Sequence, residues 1–288
     1  MNDRMSYIAV IGAGPIGATV AHTLARRGRV RDIRLFDSAA SVAAGKALDI
    51  RQTGPVEGFD TRLSGSGDVL GAVGASVAVI ADDHGEGSWS GDRGLALLAR
   101  LRRAGLNAPI VFAGTDHDWL MEACVRELGI PARNVVGTAA SALVGAARGL
   151  IALEVNGSGV DVSVTLCGRP PAVTFGWASA RVGDTLVTDR IPPHRLLAIA
   201  QQVKSLWPVG PYAIAAATAP LVEALSGHGR RECVATSVLE GELGVRGVAA
   251  LMPVRIGRGH IQERVTPTLS PQERNELLTT LSRSSVTG

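Results

Sequence analysis

Short apolar runs alternate with helical segments through the first half of the chain. The runs are YIAVI (7 to 11), IRLFD (33 to 37), ASVAVIAD (75 to 82), APIVFAG (108 to 114) and VVG (135 to 137). Each is short, nearly uninterrupted and rich in branched residues, which predicts strands buried on both faces. Between them, Ala18, Val20, Ala21 and Leu24 form the apolar face of one helix, and Leu95, Leu98 and Leu101 mark another. Strands alternating with helices predict a parallel sheet covered on both sides.

After Gly137 the pattern changes. VDVSVTLC (160 to 167) and CVATSVL (233 to 239) alternate, as half-buried strands do, and VRIGRGHIQERV (254 to 265) follows them. Leu196, Ile199, Val203 and Trp207 recur at helical spacing, and 213 to 219 is an alanine-rich helix. The last helix announces its own start: Ser270 as N-cap, Pro271 at the first position and Glu273 at the third form a capping box. The fold class is therefore α/β, a parallel sheet in residues 1–137 followed by a second α+β domain in 138–288.

Composition narrows the class further. The chain has 288 residues, 46% of them apolar and 19% charged, enough to bury a large core. It has no run approaching about 18 apolar residues, so no membrane span is expected. MNDRMSY is a poor signal peptide, which leaves a cytoplasmic location as the expectation. The three cysteines, Cys124, Cys167 and Cys233, lie far apart without metal-ligand spacing, so buried thiols are expected and no metal site. The net charge of +3 is spread over the chain, and its densest basic groups, Arg26-Arg27 with Arg29 and Arg102-Arg103, read as polar helix ends rather than a nucleic-acid surface.

The sharpest motif is Gly12-Ala13-Gly14-Pro15-Ile16-Gly17, directly after the first strand and opening the first helix. Gly12 permits a tight turn, Gly14 lets backbone approach a diphosphate, and Gly17 lets helix and strand pack closely, while the helix start offers unpaired N–H groups. Asp37 closes the second strand, where a carboxylate can accept hydrogen bonds from a ribose diol and would repel a 2′-phosphate. These residues predict a Rossmann-type domain and favour NAD over NADP. Ala81 and Asp82, at the end of the third run, should lie beside the diphosphate and ribose.

With GAGPIG and LFD in place, the chain resembles the malate and lactate dehydrogenase family, closest to its malate branch. GKALDIRQTGPVEGFDTRLSGSGD (45 to 68), RNVVG (133 to 137), ATSVLEGELG (235 to 244), the PVRIGRGHIQERV stretch and the SPQE helix extend the resemblance over nearly the whole chain. It implies NAD, hydride exchange with a small 2-hydroxy or 2-oxo acid, and a homodimer or homotetramer. It also implies a histidine acid/base in a turn that here reads Cys167-Gly168-Arg169-Pro170-Pro171. Arginine stays charged at ordinary pH and cannot serve as that base. Leu143 stands where the orienting aspartate is expected, and Thr115 where an asparagine is. The loop ADDHGEGSWSGDRG (81 to 94) has acids where substrate-covering arginines belong and no arginine before Arg93. Arg148 stays as the candidate clamp for a substrate carboxylate, with Arg169 and Thr115 nearby, and Gly210-Pro211-Tyr212 approximates the helix start that completes the pocket.

Two classes stand against each other. In the first, the chain is an NAD-dependent oxidoreductase of a small 2-oxo/2-hydroxy or imino/amino compound, in which His84 or His117, in loops at the C-terminal edge of the sheet, replaces the proton relay and the acidic loop favours a cationic or amine-like substrate. In the other, the chain is a non-catalytic NAD-binding or assembly protein derived from a malate dehydrogenase.

Overall fold

A computed structural model describes residues 6–85, 87–257 and 259–284. The nucleotide half runs β1 (Ile8–Ile11), α1 (Pro15–Arg26), β2 (Asp32–Phe36), α2 (Ala40–Glu57), β3 (Arg62–Ser66), β4 (Val77–Ile80), the short strands β5 (Asp82–Asp83) and β6 (Gly87–Ser88), α3 (Gly91–Arg103), β7 (Ile110–Phe112), α4 (Asp118–Leu128) and β8 (Val135–Gly137). The second half follows with α5 (Ser141–Glu154), β9 (Val162–Ser163), β10 (Leu166–Arg169), β11 (Ala172–Phe175), β12 (Arg181–Val182), β13 (Thr185–Leu186), α6 (Val187–Arg190), α7 (Pro193–Ser205), α8 (Pro211–Leu225), β14 (Arg231–Glu240), β15 (Arg246–Gly257), β16 (His260–Arg264) and α9 (Pro271–Ser284).

β3, β2, β1, β4, β7 and β8 pair in parallel, in that order across the sheet. Their period-2 alternation sorts side chains onto two faces. Ile8, Val10, Ile33 and Leu35 meet Val20 and Leu24 of α1, whereas Ala9, Ile11, Ile80 and Phe112 meet Leu98 and Leu101 of α3. This is a Rossmann-type domain. At Gly137 the pairing sense changes: β14 joins β8 antiparallel through Thr236, and β15, β10, β11 and β16 extend the same sheet. The two halves thus share one continuous sheet, and the second is the expected α+β arrangement.

Three sequence expectations differ in detail. The stretch 160 to 167 is two strands: β9 pairs with β12 in a separate three-stranded sheet, while β10 pairs with β11 and β15, so the chain steps between sheets at Val164-Thr165. The loop expected over 81 to 94 is a tight hairpin, and α3 begins at Gly91. Trp207 lies beyond the end of α7, partly buried. The capping box forms as read, with Ser270 N donating to Glu273 Oε2 at 2.7 Å and Glu273 N to Ser270 Oγ at 3.3 Å. Cys124 and Cys167 are buried and Cys233 half-buried, all as free thiols, with burial pushing them up to about 12, about 12 and about 11. Glu86 and residues 1–5, on which earlier expectations fall, lie outside the described residues. No helix among the described residues is long and apolar enough to cross a membrane, and no cluster of three His, Cys, Asp or Glu there could hold a metal.

One ion pair fastens α1 to α8 across the halves. Glu223, 3% exposed, accepts from Arg27 Nη2 at 2.9 Å, and the more distant Arg29 Nη1 lies 3.9 Å away. Removing either partner has unequal consequences, because Arg27 reaches solvent and Glu223 does not. Arg27→Leu should cost about 3 kcal/mol by leaving a buried carboxylate without its close partner. Glu223→Leu should cost less than half of that. Urea unfolding midpoints of the two variants measure the difference.

Candidate functional site

The glycines at the end of β1 behave as the motif requires, but what approaches them belongs to this chain. Gly12 has φ +107°, and a Cβ there would lie 2.3 Å from the Asp82 carbonyl oxygen. A Cβ on Gly14 would lie 2.5 Å from Asp82 Oδ2, and one on Gly17 would lie 1.9 Å from the Gly12 carbonyl oxygen. The Gly14 N–H donates to the Asp82 carbonyl at 2.9 Å. Pro15, at the first helical position, has no N–H to offer. The next two donors of α1 are taken by one side chain: Ile16 N donates to Asp82 Oδ2 at 3.1 Å and Gly17 N to Asp82 Oδ1 at 2.9 Å. A buried carboxylate thus sits where an anionic ligand would meet the positive end of the helix. Ala81 N donates to the Ile11 carbonyl at 2.9 Å and holds the preceding backbone against β1.

Asp37 is just as enclosed. Its Oδ2 accepts from Ala13 N at 2.7 Å and His84 N at 2.9 Å, and its Oδ1 from Ala39 N at 2.9 Å. Burial works to raise its pKa, but a hydrogen bond shared with Asp83 and the three backbone donors outweigh it and hold the carboxyl below its ordinary range. Asp83 goes the other way, raised by burial and by the neighbouring Asp37, against the Ser38 hydroxyl and Arg93 guanidinium that also bond it. Arg93 in turn stacks on Trp89, 3.9 Å from the ring centroid. Sequence reasoning noticed the acids of this loop but not that Asp83, Trp89 and Arg93 would pack together. Beside them is an open cavity of about 330 Å³ lined by Ile11, Phe36, Asp37, Val69, Trp89 and Arg93.

The cleft at the ends of β7 and β8 is nearly closed. Phe112, His117, Asp118, Met121, Thr138 and Trp207 surround a cavity of about 10 Å³, room for roughly one water molecule. His117 is 1% exposed and packs edge-on against Phe112. Its Nδ1 accepts from Gly114 N at 3.0 Å, which leaves the ring proton on Nε2, 2.8 Å from Ser88 Oγ. Ser88 passes its own proton on to Asp116 Oδ1 at 2.6 Å. The chain of donors runs outward from the imidazole, so His117 is not poised to take a proton from Ser88. Burial pushes its pKa down to about 4, with Asp116 opposing, and the ring is neutral at pH 7. His84 is exposed at the hairpin turn, and its backbone N–H is what contacts Asp37.

Arg169 reaches the edge of this region. Its Nε donates to Asp118 Oδ2 at 3.0 Å and its Nη1 to Glu122 Oε1 at 3.1 Å, while Glu122 Oε1 also accepts from Ala249 N at 2.8 Å. Burial raises the Asp118 carboxyl to about 6, with the Arg169 charge opposing, and the ion pair keeps it as carboxylate at neutral pH. Arg148 lies elsewhere, on α5, where Nε and Nη2 donate to the carbonyls of Gly159 at 2.9 Å and Val160 at 3.1 Å. Thr115 is half-buried just past β7. Of the three residues expected around the substrate, Arg148, Arg169 and Thr115, Arg148 is thus held by loop carbonyls away from the cavity around His117. Glu122, the acceptor that joins α4 to β10 and β15, carried no signal beyond its place on a helix.

Residues 6–85 match the family described as lactate/malate dehydrogenase, NAD binding domain. The malate dehydrogenase of Thermomicrobium roseum is 29% identical over 288 residues, covering 94% of this chain and 93% of that protein, and that of Desulforudis audaxviator is 29% identical over 294 residues, covering 94% of each. The malate dehydrogenase structure from Salinibacter ruber superposes with a TM-score of 0.84 at 26% identity, covering 97% of this chain and 95% of that one. A ligand-bound minor L-lactate dehydrogenase from Enterococcus mundtii shares the fold, with a TM-score of 0.87 at 19% identity over 98% and 96% of the two chains. Residues 6–85 thus carry the NAD-binding domain of the lactate/malate dehydrogenase family, and nearly the whole chain is similar to malate dehydrogenases. NAD is the cofactor for which this nucleotide domain is built. In the conformation described, the family's nucleotide cradle does not fit a diphosphate until Asp82 leaves it, because the same two N–H groups cannot serve both.

The buried histidine makes stability depend on pH. Its folded pKa, about 4, lies below the unfolded value of about 6.5, so the unfolded chain takes up the proton first. The contribution is fully present above about pH 6.5 and is lost as pH falls towards 4, on the order of 3 kcal/mol. Asp118 acts in the opposite direction between about pH 4 and 6, since its folded form binds the proton more readily. The difference between proteins therefore isolates the histidine: His117→Gln should flatten the fall in Tm between pH 7 and 4 relative to the unmodified chain.

Proposed function

We propose that this protein keeps the nucleotide-binding role of its family without catalysing the oxidation of a 2-hydroxy acid. The observation that carries the reading is Arg169, which stands at the expected acid/base position and is bonded to Asp118 and Glu122. A guanidinium cannot exchange a proton with substrate near neutrality. Leu143, which the family resemblance aligns with the carboxylate that would orient an imidazole, is fully buried in the second-half core. The cavity of about 10 Å³ is too small for a three- or four-carbon acid, and Arg148 bonds loop carbonyls rather than lining it.

The reading assigns the nucleotide contact surface to Gly12, Gly14, Pro15, Ile16, Gly17, Asp37 and Ala81, with Asp82, expected beside the diphosphate, lying instead across the Ile16 and Gly17 N–H groups. It divides the chain at Gly137, where the pairing sense changes, and takes from the family resemblance a homodimer or homotetramer. An oxidoreductase acting on amino or imino compounds would need loop acids facing its substrate. Asp82 and Asp83 instead turn inward, onto α1 and onto Ser38 and Arg93.

The test is a screen of NADH oxidation by the purified protein against oxaloacetate, pyruvate and other 2-oxo acids, with and without ammonia or amines. No turnover above the protein-free rate is expected. A kcat in the ordinary enzyme range, about 1–10³ s⁻¹, with any of them would overturn the reading.

A further inference from the structure

We infer that Asp82 is an internal occupant of the diphosphate seat, and that NAD binds only by displacing it. This rests on the NAD-binding domain and goes beyond it by naming the residue that sets the site's affinity. Two features of one contact carry it. The helix-start donors Ile16 N and Gly17 N are both satisfied by the two oxygens of one carboxylate. The space a side chain at Gly14 would fill is already taken by that carboxylate, so the glycine usually read as room for a phosphate here gives room to Asp82.

The carboxylate does not act alone. β5 and β6 form a hairpin, Asp82 opposite Ser88 and Asp83 opposite Gly87, and the hairpin is fastened at three points. Asp82 is fixed to the start of α1, Asp83 to Ser38 and Arg93, and the backbone N–H of His84 to Asp37. The last fastening uses one of the carboxylate oxygens that a ribose diol would otherwise contact, and Ala13 N and Ala39 N take further acceptor capacity on the same group. Asp82 thus opposes a diphosphate twice: it holds the donors, and while it remains close its charge repels the incoming anion. A ligand without phosphate meets neither obstacle in the open 330 Å³ cavity beside Asp37.

Calorimetric titration of the full chain and of Asp82→Ala with NAD, ADP-ribose and adenosine tests this. Asp82→Ala should bind NAD and ADP-ribose about tenfold more tightly than the unmodified protein, a gain of about 1.4 kcal/mol, and adenosine with less than a twofold change. Asp82→Asn, which keeps the shape and loses the charge, should fall between them, and it carries the test if the alanine variant does not fold. Equal gains for all three ligands would mean general loosening and would overturn the inference. So would tight NAD binding by the unmodified chain with no gain on substitution, although the NAD-binding reading would then stand. If no form of the protein binds NAD or ADP-ribose, both fail together.

Discussion

The N–H groups at the start of α1 must find an acceptor, and the rest of the nucleotide site follows from which acceptor they find. Helix starts leave donors unpaired and carry positive potential, so a buried one without a partner costs free energy. In this chain the partner is covalently attached. Asp82 lies two residues past the end of β4, the strand neighbouring β1, with Ala81 bonded to Ile11 and the Asp82 carbonyl accepting from Gly14, so its carboxylate is delivered to Ile16 and Gly17 by the sheet itself. The close approach that the three glycines permit is spent on the chain's own backbone and side chain.

The second half is organised by a comparable substitution of internal for external partners. Where the family resemblance puts a titratable imidazole, Arg169 is a permanent cation, and Asp118 and Glu122 neutralise it from α4. Glu122 also accepts from Ala249 of β15, so the network joins α4 to two strands of the second half. Such a group of charges can hold elements in register, but it presents no group that gains and loses a proton at neutral pH except Asp118, whose carboxylate is engaged by the arginine. The neutral His117, bonded at both nitrogens, completes a substrate end whose polar atoms face one another.

Most of the fold was legible, because buried parallel strands leave continuous apolar runs and the Ser270 box names its own partner at Glu273. The break inside 160 to 167 was not, since an alternating pattern is the same whether one sheet or two receive it. The glycine motif located the cradle but could not say what fills it: a Gly14 required by a phosphate and a Gly14 required by Asp82 are the same residue. The acids after β4 were visible as charges facing a substrate. Their inward direction depends on the two-residue strands β5 and β6, too short for any periodicity to register. Likewise His117 and Arg169 were identifiable as residue types, whereas their partners Ser88, Asp118 and Glu122 lie 29, 51 and 47 positions away in sequence.

The hairpin joins the two ends of the site. Asp82 and Asp83 anchor one side of it to α1, Ser38 and Arg93, and Ser88, directly opposite Asp82 in the pairing, anchors the other to His117 and Asp116. A movement of the whole hairpin that withdraws Asp82 from Ile16 and Gly17 would therefore also act on the Ser88 hydroxyl that bonds His117 and Asp116. The two ends of the site share this one element, and if the hairpin moves as a unit, a ligand that displaces Asp82 and one that displaces Ser88 must favour each other by the same free energy.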